Sequence, residues 1–367
     1  MITLASVIEQ FEEVFLSDYQ NSLRPNQVSA LHAMKRCRTQ LSPVMQVNCA
    51  DCEYQTFVPH SCGHRNCPHC QHHESQQWIE RQVQRQVPAD YFMNTFTLPA
   101  QLRPLARLHS RLFYDMMFEC AWATLQSFSK NDKQLQGDPG AIAVLHTHSR
   151  ELNYHPHIHV VMPAAIIDKT NKLWRTKAGK YLFNHKALAK VFRAKMLTRM
   201  SEEKFPFPTR IPKKWVVDCK FVGAGDKALI YLGRYLYRGV IREKDILSCQ
   251  DGKVTYRYQD SKTKHYKTKT VSGAKFLWRV LQHVLPKSFR RARNFGFLHP
   301  NSKRVIKLIH LLLKFDPTKI LRTLKPRPQF SCKCCGGAMI VGRRRIPKLE
   351  MIHLTMPKIV LEPSELM

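Results

Sequence analysis

The chain has 367 residues, enough for two or three domains, and 44% of them are hydrophobic, which is enough for a buried core. It carries 59 lysines and arginines against 27 aspartates and glutamates, and the formal charge of +32 favours a polyanionic partner such as nucleic acid. No apolar run approaches the length of about 18 residues that spans a membrane, and the start of the chain, with Glu9, Glu12 and Glu13, is unlike a secretory signal. Neither a membrane protein nor a secreted protein is expected.

Hydrophobic spacing predicts mostly helix in the first third of the chain. Apolar residues recur at helical intervals from Leu4 to Phe15, and similar patterns follow. The predicted helices span 2–17, 25–38, 74–86 and 101–128, and a block rich in cysteine and histidine runs from Cys49 to His73. Alternating apolar residues over 91–98 predict a strand that ends at Pro99.

The middle of the chain predicts strands interleaved with helices. Alternating segments at 142–148 and 157–162 are expected to pair as a hairpin, and further hairpins are predicted over 172–183 and between 254–258 and 265–271. Helices are expected after a cap at Asn184 and at 226–238 and 273–284, with a strand at 215–222. This order predicts an α+β fold, in which helices pack against an antiparallel sheet.

The cysteines point to zinc. Cys49-x-x-Cys52 and Cys67-x-x-Cys70 are separated by 14 residues, and two such pairs can supply the four tetrahedral ligands that zinc prefers. Because cysteines would fill its coordination shell, this zinc is expected to be structural. Four nearby residues can replace one ligand or build a second site, and the sequence leaves these alternatives open: Cys37, His60, Cys62 and His64.

A last cysteine group, Cys332-Lys333-Cys334-Cys335, supplies only half of a metal site. A zinc ion there needs further ligands, and His353 is the candidate that the sequence offers.

The segment around Tyr154-His155-Pro156-His157-Ile158-His159 carries the most chemistry. Side chains two apart on a strand share a face, so His157 and His159 point the same way and can bind one Mg²⁺ or Mn²⁺ ion. Two ligands do not suffice, and the third is expected from His146 or His148 on the paired strand, or from Glu151 near the turn. His155 shares the face of the pair and is expected to support it.

Two tyrosines on the predicted helix 226–238 complete the constellation. Tyr231 and Tyr235 are four apart, so their hydroxyls lie side by side on one helix face. A tyrosine hydroxyl can attack a phosphodiester whose charge a metal ion reduces, which stores the bond energy in a phosphotyrosine. Tyr237 points away from this face and is expected to be structural.

Several motifs in order resemble one family, the rolling-circle transposases of the insertion sequence 91 group. The resemblance covers roughly residues 25 to 300. It rests on Ser61-Cys62-Gly63-His64-Arg65-Asn66-Cys67-Pro68-His69-Cys70, Tyr91-Phe92 through Phe96-Thr97-Leu98-Pro99, Leu145-His146-Thr147-His148, His155-Pro156-His157-Ile158-His159, Tyr231-Leu232-Gly233-Arg234-Tyr235 and His283-Val284-Leu285-Pro286. The chain departs from the family pattern at His148-Ser149-Arg150 and Leu236-Tyr237.

The resemblance implies an HUH-type antiparallel sheet with flanking helices, preceded by a small helical and zinc-ribbon domain and followed by a basic tail. It implies that His157 and His159 bind the catalytic metal and that Tyr231 and Tyr235 are the nucleophiles. The expected domains are 1–90 for zinc binding and DNA recognition, 91–290 for catalysis, and 291–367 for a basic region with a partial zinc knuckle. The expected partner is single-stranded DNA at the ends of a mobile element, and the expected location is the bacterial cytoplasm, at the nucleoid when DNA is bound.

Two other functions compete with this hypothesis. A zinc-ribbon protein that binds DNA without cleaving it would need the cysteines and the charge but not the tyrosines. A plasmid or phage replication initiator of the HUH type would use the same chemistry at a replication origin.

Overall fold

A computed structural model of the protein describes residues 2–68, 70, 72–168, 170–237, 239–260, 263–322 and 330–346, without the side chains at 72, 73 and 237. The helices are α1 (Leu4–Tyr19), α2 (Pro25–Arg36), α3 (His72–Val83), α4 (Arg103–Leu108), α5 (Ser110–Asn131), α6 (His185–Glu202), α7 (Asp226–Tyr237), α8 (Gly273–Leu281), α9 (Lys303–Leu312) and α10 (Thr318–Leu321). The strands are β1 (Val44–Cys49), β2 (Gln55–Pro59), β3 (Tyr91–Thr97), β4 (Asp138–His148), β5 (Tyr154–Pro163), β6 (Ala165–Asp168), β7 (Leu173–Thr176), β8 (Val216–Phe221), β9 (Ile246–Gln250), β10 (Lys253–Gln259), β11 (Tyr266–Ser272), β12 (Ala292–Gly296) and β13 (Met339–Val341).

Within these ranges, every helix is too short or too polar to cross a lipid bilayer.

An antiparallel sheet lies at the centre of the described structure. Its strands follow the order β7-β6-β4-β5-β3-β8, and β12 pairs with β4 on the side away from β5. The register sets His157 opposite Thr97 of β3 on one side and opposite His146 of β4 on the other. The histidine pair therefore lies in the middle of the sheet, and the predicted α+β fold with an antiparallel sheet is confirmed.

Different helices cover the two faces of this sheet, because successive side chains of a strand point to opposite faces. On one face, Phe96, Leu145 and Ile158 belong to a large core with α5 and α6. On the other face, Val144 and Val161 pack with α3 and α7. His157 and His159 share the face of Val161, so the tyrosine-bearing helix α7 lies over the histidines.

A glycine allows α7 to begin close to the sheet. Gly225 precedes the helix with a φ of +93°, a region that side chains disfavour. A Cβ at this position would also clash with the ring of Tyr91, the first residue of β3. The close approach of α7 to the sheet therefore depends on the absence of a side chain at Gly225.

The N-terminal helices share a second core with a later part of the chain. Phe15 of α1 and Leu31 of α2 pack with Tyr256 of β10 and Phe276 of α8. The sheet in this region has the order β11-β10-β9. A third, small sheet has the order β13-β1-β2 and thus joins a hairpin near residue 50 to a strand near residue 340.

The described elements differ from the predicted ones in a few places. The predicted helix 101–128 is divided at His109, whose φ of −110° and ψ of 47° are not helical. The hairpin expected at 172–183 instead pairs β6 with β7. The cap at Asn184 is confirmed, because its side chain accepts hydrogen bonds from the amides of Lys186 and Ala187.

The predicted domain ranges stay a prediction. The structure pairs β12 and β13, both from the range 291–367, with β4 and β1 respectively. Residues 347–367, the last part of the expected basic tail, lie outside the described residues, as does His353.

Candidate active site

Three histidines face α7 from two neighbouring strands. His146 lies opposite His157 and Val144 lies opposite His159, and residues paired in this way share a face of the sheet. One ring nitrogen of each of His146, His157 and His159 lies within 4.8 Å of the other two. This histidine group is a set of three nitrogen donors that can bind one metal ion.

Hydrogen bonds orient two of the rings. Nδ1 of His157 lies 2.7 Å from the carbonyl oxygen of His155, and Nδ1 of His159 lies 3.0 Å from the hydroxyl oxygen of Thr95. When Nδ1–H donates in these bonds, Nε2 keeps its lone pair for a metal ion. His146 is 1% exposed, and its Nε2 has no hydrogen-bond partner among the described residues. A buried polar atom without a partner is costly, and a bound metal ion would satisfy it.

Burial keeps the histidine group neutral. It lowers the pKa of His157 to about 3, with a further contribution from His159, and it lowers the pKa of His159 to about 4, although Asp218 opposes the shift. The pKa of His146 lies well below its ordinary value for the same reason, and the neighbouring His159 and His157 lower it further. A neutral imidazole has a lone pair to give to a metal ion, so these rings are ready ligands at neutral pH.

The donor set favours some metal ions over others. The histidine group contributes three nitrogens. Imidazole suits Zn²⁺, Fe²⁺, Ni²⁺ and Cu²⁺, whereas Mg²⁺ and Mn²⁺ prefer oxygen ligands, so a Mg²⁺ or Mn²⁺ ion on these three nitrogens would complete its shell with oxygen ligands. Asp218 lies on β8, two strands from His159: both residues are in register with Thr95 of the intervening strand β3, and Asp218 forms an ion pair with Lys220 at 2.8 Å.

Tyr235 lies directly on the histidine group. Its ring stacks on His146 with 3.4 Å between centroids and 11° between planes. Its hydroxyl lies 3.0 Å from both ring nitrogens of His148, so one of them can exchange a proton with it. The structure thus gives the two candidate third ligands different positions, with His146 in the metal-ligand set and His148 beside a tyrosine hydroxyl.

Tyr231 lies on the same helix face in a more open environment. Its ring centroid is 6.4 Å from that of His146, 6.2 Å from that of His159 and 6.3 Å from that of Tyr235. The residue is 47% exposed. Partial burial raises the pKa of Tyr231, and the positive charge of Arg150 opposes this shift. Both predicted tyrosines therefore adjoin the histidine group, while the side chain of Tyr237 is outside the described structure.

Two other predicted residues are outside the histidine group, although the ring centroid of His155 lies 5.2 Å from that of His157. Glu151, the alternative third ligand, forms an ion pair with Lys269 at 3.0 Å and is not part of the histidine group. His155 contributes its backbone carbonyl to His157, and burial lowers the pKa of its own ring to about 4.

Sequence reasoning missed Arg291. Its Nε donates to the carbonyl of Leu145 on β4, and a second nitrogen donates to the carbonyl of Leu236 near the end of α7, both at 3.0 Å. Its guanidinium lies 5.4 Å from the ring centroid of Tyr235. Arg291 therefore fixes the tyrosine helix to the histidine strand. The only signal in the sequence is the basic run Arg290–Arg293, and a run of charges does not indicate which of its members bonds to the backbone.

The cysteines form two separate clusters, and the predicted set of four is wrong in its grouping. The first cluster contains Cys37, Cys62, Cys67 and Cys70, and the second contains Cys49, Cys52, Cys332 and Cys335. In each cluster, the sulfur atoms all lie within 4.8 Å of one another. The two predicted pairs, Cys49/Cys52 and Cys67/Cys70, are thus divided between clusters, because each finds closer partners elsewhere in the fold.

In the first cluster, Cys37 follows the end of α2, and the other three sulfurs come from the loop before α3. Cys37 and Cys70 are 3.2 Å apart, and Cys62 and Cys70 are 3.5 Å apart. Hydrogen bonds from the other three thiols hold the pKa of Cys70 well below its usual range, while a hydrogen bond with Cys37 raises the pKa of Cys62, so the four sulfurs share protons unevenly. His64, expected as a possible ligand, supports the loop instead, since its amide donates to the sulfur of Cys62 at 3.4 Å.

Comparisons with known proteins agree with this architecture. A family model described as "Putative transposase" matches residues 140–305, which span β4 to the start of α9. A second model, described as "Transposase zinc-binding domain" of the insertion sequence 91 type, matches residues 7–98.

Two curated proteins are similar over most of their length. "Putative transposase y4qJ" of Sinorhizobium fredii (strain NBRC 101917 / NGR234) is 28% identical over 319 residues, which cover 80% of this chain and 80% of that protein. "Transposase for insertion sequence element IS801" of Pseudomonas savastanoi pv. phaseolicola is 29% identical over 303 residues, which cover 76% of this chain and 72% of that protein.

The chain is therefore related to transposases. The resemblance to the insertion sequence 91 group is confirmed, and with it the presence of a zinc-binding domain whose cysteines can hold structural zinc.

Proposed function

We propose that this protein nicks and rejoins single-stranded DNA at the ends of a mobile element through a 5′-phosphotyrosine intermediate, as an HUH-type rolling-circle transposase. The observation that carries this proposal is the position of α7, which holds Tyr231 and Tyr235 over the face of the sheet from which His146, His157 and His159 project. The candidate nucleophiles thus adjoin a candidate metal-ligand set: the ring centroids of Tyr235 and His146 are 3.4 Å apart, and those of Tyr231 and His159 are 6.2 Å apart.

The proposed metal site is the histidine group. A divalent ion bound there would draw negative charge from the oxygens of the scissile phosphate. The residues themselves favour this role, because the rings are neutral, two of them are oriented through Nδ1, and Nε2 of His146 is buried without a partner among the described atoms.

In the proposed reaction, a tyrosine oxygen attacks the phosphorus and the bond from phosphorus to the 3′ oxygen breaks. The products are a phosphotyrosine on the 5′ end and a free 3′-hydroxyl, which takes up a proton from solvent. The new ester retains the energy of the old one, so a 3′-hydroxyl can later reverse the step and join strands. Each attack also requires the phenol to lose its proton.

His148 is the proposed acceptor of the proton from Tyr235. Its ring nitrogens lie 3.0 Å from the hydroxyl, a distance at which a general base can act. Tyr231 has Arg150 close enough to oppose the rise in its pKa, so positive charge favours its phenolate form. Tyr235 therefore has a base within reach, whereas the pKa of Tyr231 stays above its ordinary value and the charge of Arg150 only limits that rise.

The differing exposure of the tyrosines suggests their order of use. Tyr231 is 47% exposed and can meet a DNA strand directly, whereas Tyr235 is stacked on His146 and must leave this position to reach a phosphate. In this proposal Tyr231 makes the first cleavage and Tyr235 the second, linked one.

The experiment uses single-stranded oligonucleotides that span the element ends, with Mn²⁺, and detects covalent adducts by denaturing electrophoresis. The wild type is expected to form an adduct, Tyr235→Phe to retain a single cleavage, and Tyr231→Phe/Tyr235→Phe to form none. Tyr181→Phe, a change at an exposed tyrosine that does not adjoin the histidine group, is the matched control. An absent adduct in the wild type, or an undiminished one in the double variant, would exclude the proposal.

The same experiment separates the competing function. A zinc-ribbon protein that only binds DNA would shift the oligonucleotide in a native gel but leave it uncut. Because the charge of +32 supports DNA binding in either case, binding alone does not decide between them.

A further inference from the structure

We infer that the second cysteine cluster is a second zinc site, which folds residues 330–346 onto the hairpin β1–β2. Cys332 and Cys335 lie outside both ranges that the family models match. Cys52 and Cys332 are 280 residues apart in the chain, yet their sulfurs are 3.7 Å apart, and those of Cys49 and Cys335 are 3.4 Å apart. Four sulfurs around one zinc ion, at about 2.3 Å each, would be about 3.8 Å apart.

The backbone around each cysteine pair is shaped for metal binding. The amide of Asp51 donates to the sulfur of Cys49, and the amide of Cys334 donates to the sulfur of Cys332, both at 3.3 Å. Amide donors of this kind stabilise the negative charge of a thiolate. The two turns also pack against each other, since a Cβ at Gly337 would collide with the carboxylate of Asp51. Both pairs therefore have the tight turns of a ribbon that holds zinc between two hairpins.

Apart from a metal ion, few interactions stabilise the two segments that carry the second cysteine cluster. Residues 44–59 and 330–346 are together shorter than the roughly 40 residues below which a fold usually needs a metal ion or disulfides. Their buried apolar side chains are Val44, Val47 and Ile346, and none of these belongs to the three large cores. Because strand pairing alone is weak, a metal ion supplies the missing stabilisation.

The ribbon brings positive charge to the zinc-binding region. Arg343, Arg344 and Arg345 follow β13 and are all exposed. The pairing of β13 with β1 fixes one end of this run, and the bridge from Val44 to Ile346 fixes the other. The second zinc thus places three consecutive arginines beside the hairpin β1–β2, which is far away in the sequence.

The test is the zinc content of the full-length protein. The wild type is expected to hold two zinc ions per chain, and Cys332→Ser or Cys335→Ser to hold one. Cys334→Ser is the matched control, because Cys334 lies between the two ligands but is not part of the cluster. It should retain two. Cys62→Ser, in the first cluster, should lose one ion while the second site stays filled.

A second measurement does not depend on variants. Stepwise titration of the wild type with a thiol reagent, with a zinc-sensitive dye as the readout, should release two equivalents. A third measurement does use a variant: limited proteolysis of Cys332→Ser should cut within 44–59 or 330–346, where the wild type resists. A single zinc ion in the wild type, unchanged in Cys332→Ser, would overturn the inference.

A different observation points to a nucleotide-binding cavity beside Tyr235, and this second inference rests on the proposed function. The cavity has a volume of about 310 Å³, within the usual range for ligand pockets. Its lining combines cationic and aromatic side chains, among them Arg150, Arg242, Arg257, Tyr235, Tyr258 and Tyr266.

The lining has the chemistry of a single-strand DNA site. Asp245 binds both Arg242 and Arg257, and with Arg150 the lining has three guanidinium groups and one carboxylate, so its net charge is positive. The guanidinium of Arg257 lies 5.3 Å from the ring centroid of Tyr266, which is 59% exposed. Guanidinium groups bind phosphates and exposed rings stack on bases. We therefore assign the cavity to a nucleotide next to the scissile phosphate, held by Arg150 and Tyr266.

The test measures the affinity for a fluorescent oligo-dT of 20 nucleotides, because base stacking tolerates any sequence. Tyr266→Ala should weaken binding roughly 5- to 150-fold. Tyr266→Phe, which keeps the ring, should bind within about twofold of the wild type on the same stacking argument. Tyr181→Ala is the control, since Tyr181 is also exposed and beside a cation, Lys177, but does not line the cavity.

Charge and cleavage give independent readouts. Arg150→Gln should reduce the slope of log affinity against log salt by about 0.7, the value of one phosphate contact on a single strand. If Tyr266→Ala and Arg150→Gln bind like the wild type while the wild type forms an adduct, the cavity assignment is wrong and the proposed function stands. If these variants lose affinity but the wild type forms no adduct, the proposed function is wrong and the cavity stands.

Discussion

The histidine group and the second cysteine cluster are both candidate metal sites, but their surroundings differ. His146, His157 and His159 lie on neighbouring central strands between two large cores, so their positions are set by packing. The cluster that contains Cys49 and Cys332 joins two short segments with few buried apolar side chains. At the first site the fold positions the ligands before a metal ion arrives. At the second, the ligands hold the local fold together once a metal ion is bound.

The largest expected difference concerns metal removal. Stripping the protein with a strong chelator should raise amide exchange in β1, β2 and β13 by roughly 10³-fold or more, because structural zinc supplies much of the local stability. Exchange in β4 and β5 should change little. Hydrogen-exchange mass spectrometry measures both in one sample. Equal loss of protection in the two regions would show that the two metal sites do not differ in this way.

The next effect separates activity from stability. His157→Gln should lower the rate of adduct formation by roughly 10³-fold, since metal activation supplies several kcal/mol. Its thermal midpoint should stay close to that of the wild type, in contrast to Cys332→Ser. Adduct assays and melting curves on the same preparations check this. A midpoint that falls as far in His157→Gln as in Cys332→Ser would show that the histidine site also holds its fold together.

The third prediction concerns pH. Burial keeps the pKa of His157 at about 3 and that of His159 at about 4, whereas an unfolded chain binds these protons near pH 6.5. The unfolded state therefore binds more protons between these values, and stability falls as the pH drops below 6.5. At pH 5.5 the loss should be about 1 kcal/mol for each such histidine.

Urea unfolding at pH 7.5 and 5.5 measures this loss. The control is His159→Gln, which should lose less stability on acidification than the wild type. The difference between the two proteins cancels the contribution of zinc lost from the cysteines. An identical pH dependence in both would contradict the assigned cause.

The smallest expected effect comes from a helix cap that belongs to neither metal site. Asn184→Ala removes the cap of α6, far from both sites, and should cost about 1 kcal/mol of stability. Because neither metal site touches this cap, the cost should be the same with and without metal, and the rate of adduct formation should not change. Chemical unfolding of the two forms checks the first point, and the adduct assay checks the second.

The comparison also explains what the sequence could predict. The strand with His157 and His159 and the helix with Tyr231 and Tyr235 follow from local periodicity, so both were recognised from spacing alone. The sequence alone could not decide whether His146 or His148 is the third metal ligand, because residues two apart on a regular strand point to the same face. In the structure, the pairing of β4 with β5 is irregular between these two histidines and sets His148 opposite Tyr154, so only His146 lies beside His157 and His159.

The grouping of the cysteines also could not be predicted from the sequence. Three pairs with two-residue gaps, at 49/52, 67/70 and 332/335, permit several combinations, and only tertiary structure selects among them. Cys37 joins the first cluster because α2 ends there, and Cys332 reaches Cys52 because β13 pairs with β1. Neither strand of that pairing has enough alternation to be predicted as a strand.

The contact between α3 and α7 has a consequence for engineering. Gly233, between the two tyrosines, lies so close to α3 that a Cβ would clash with Ile79, and its carbonyl accepts a hydrogen bond from Ser75 at 2.9 Å. Gly239, just past α7, lies in the same way against Pro68 of the cysteine loop. An exchange of the first ninety residues between two relatives must therefore preserve both of these interlocking surfaces. A chimera that mismatches them would displace Tyr231 and Tyr235 from the histidine group while every reactive group is still present.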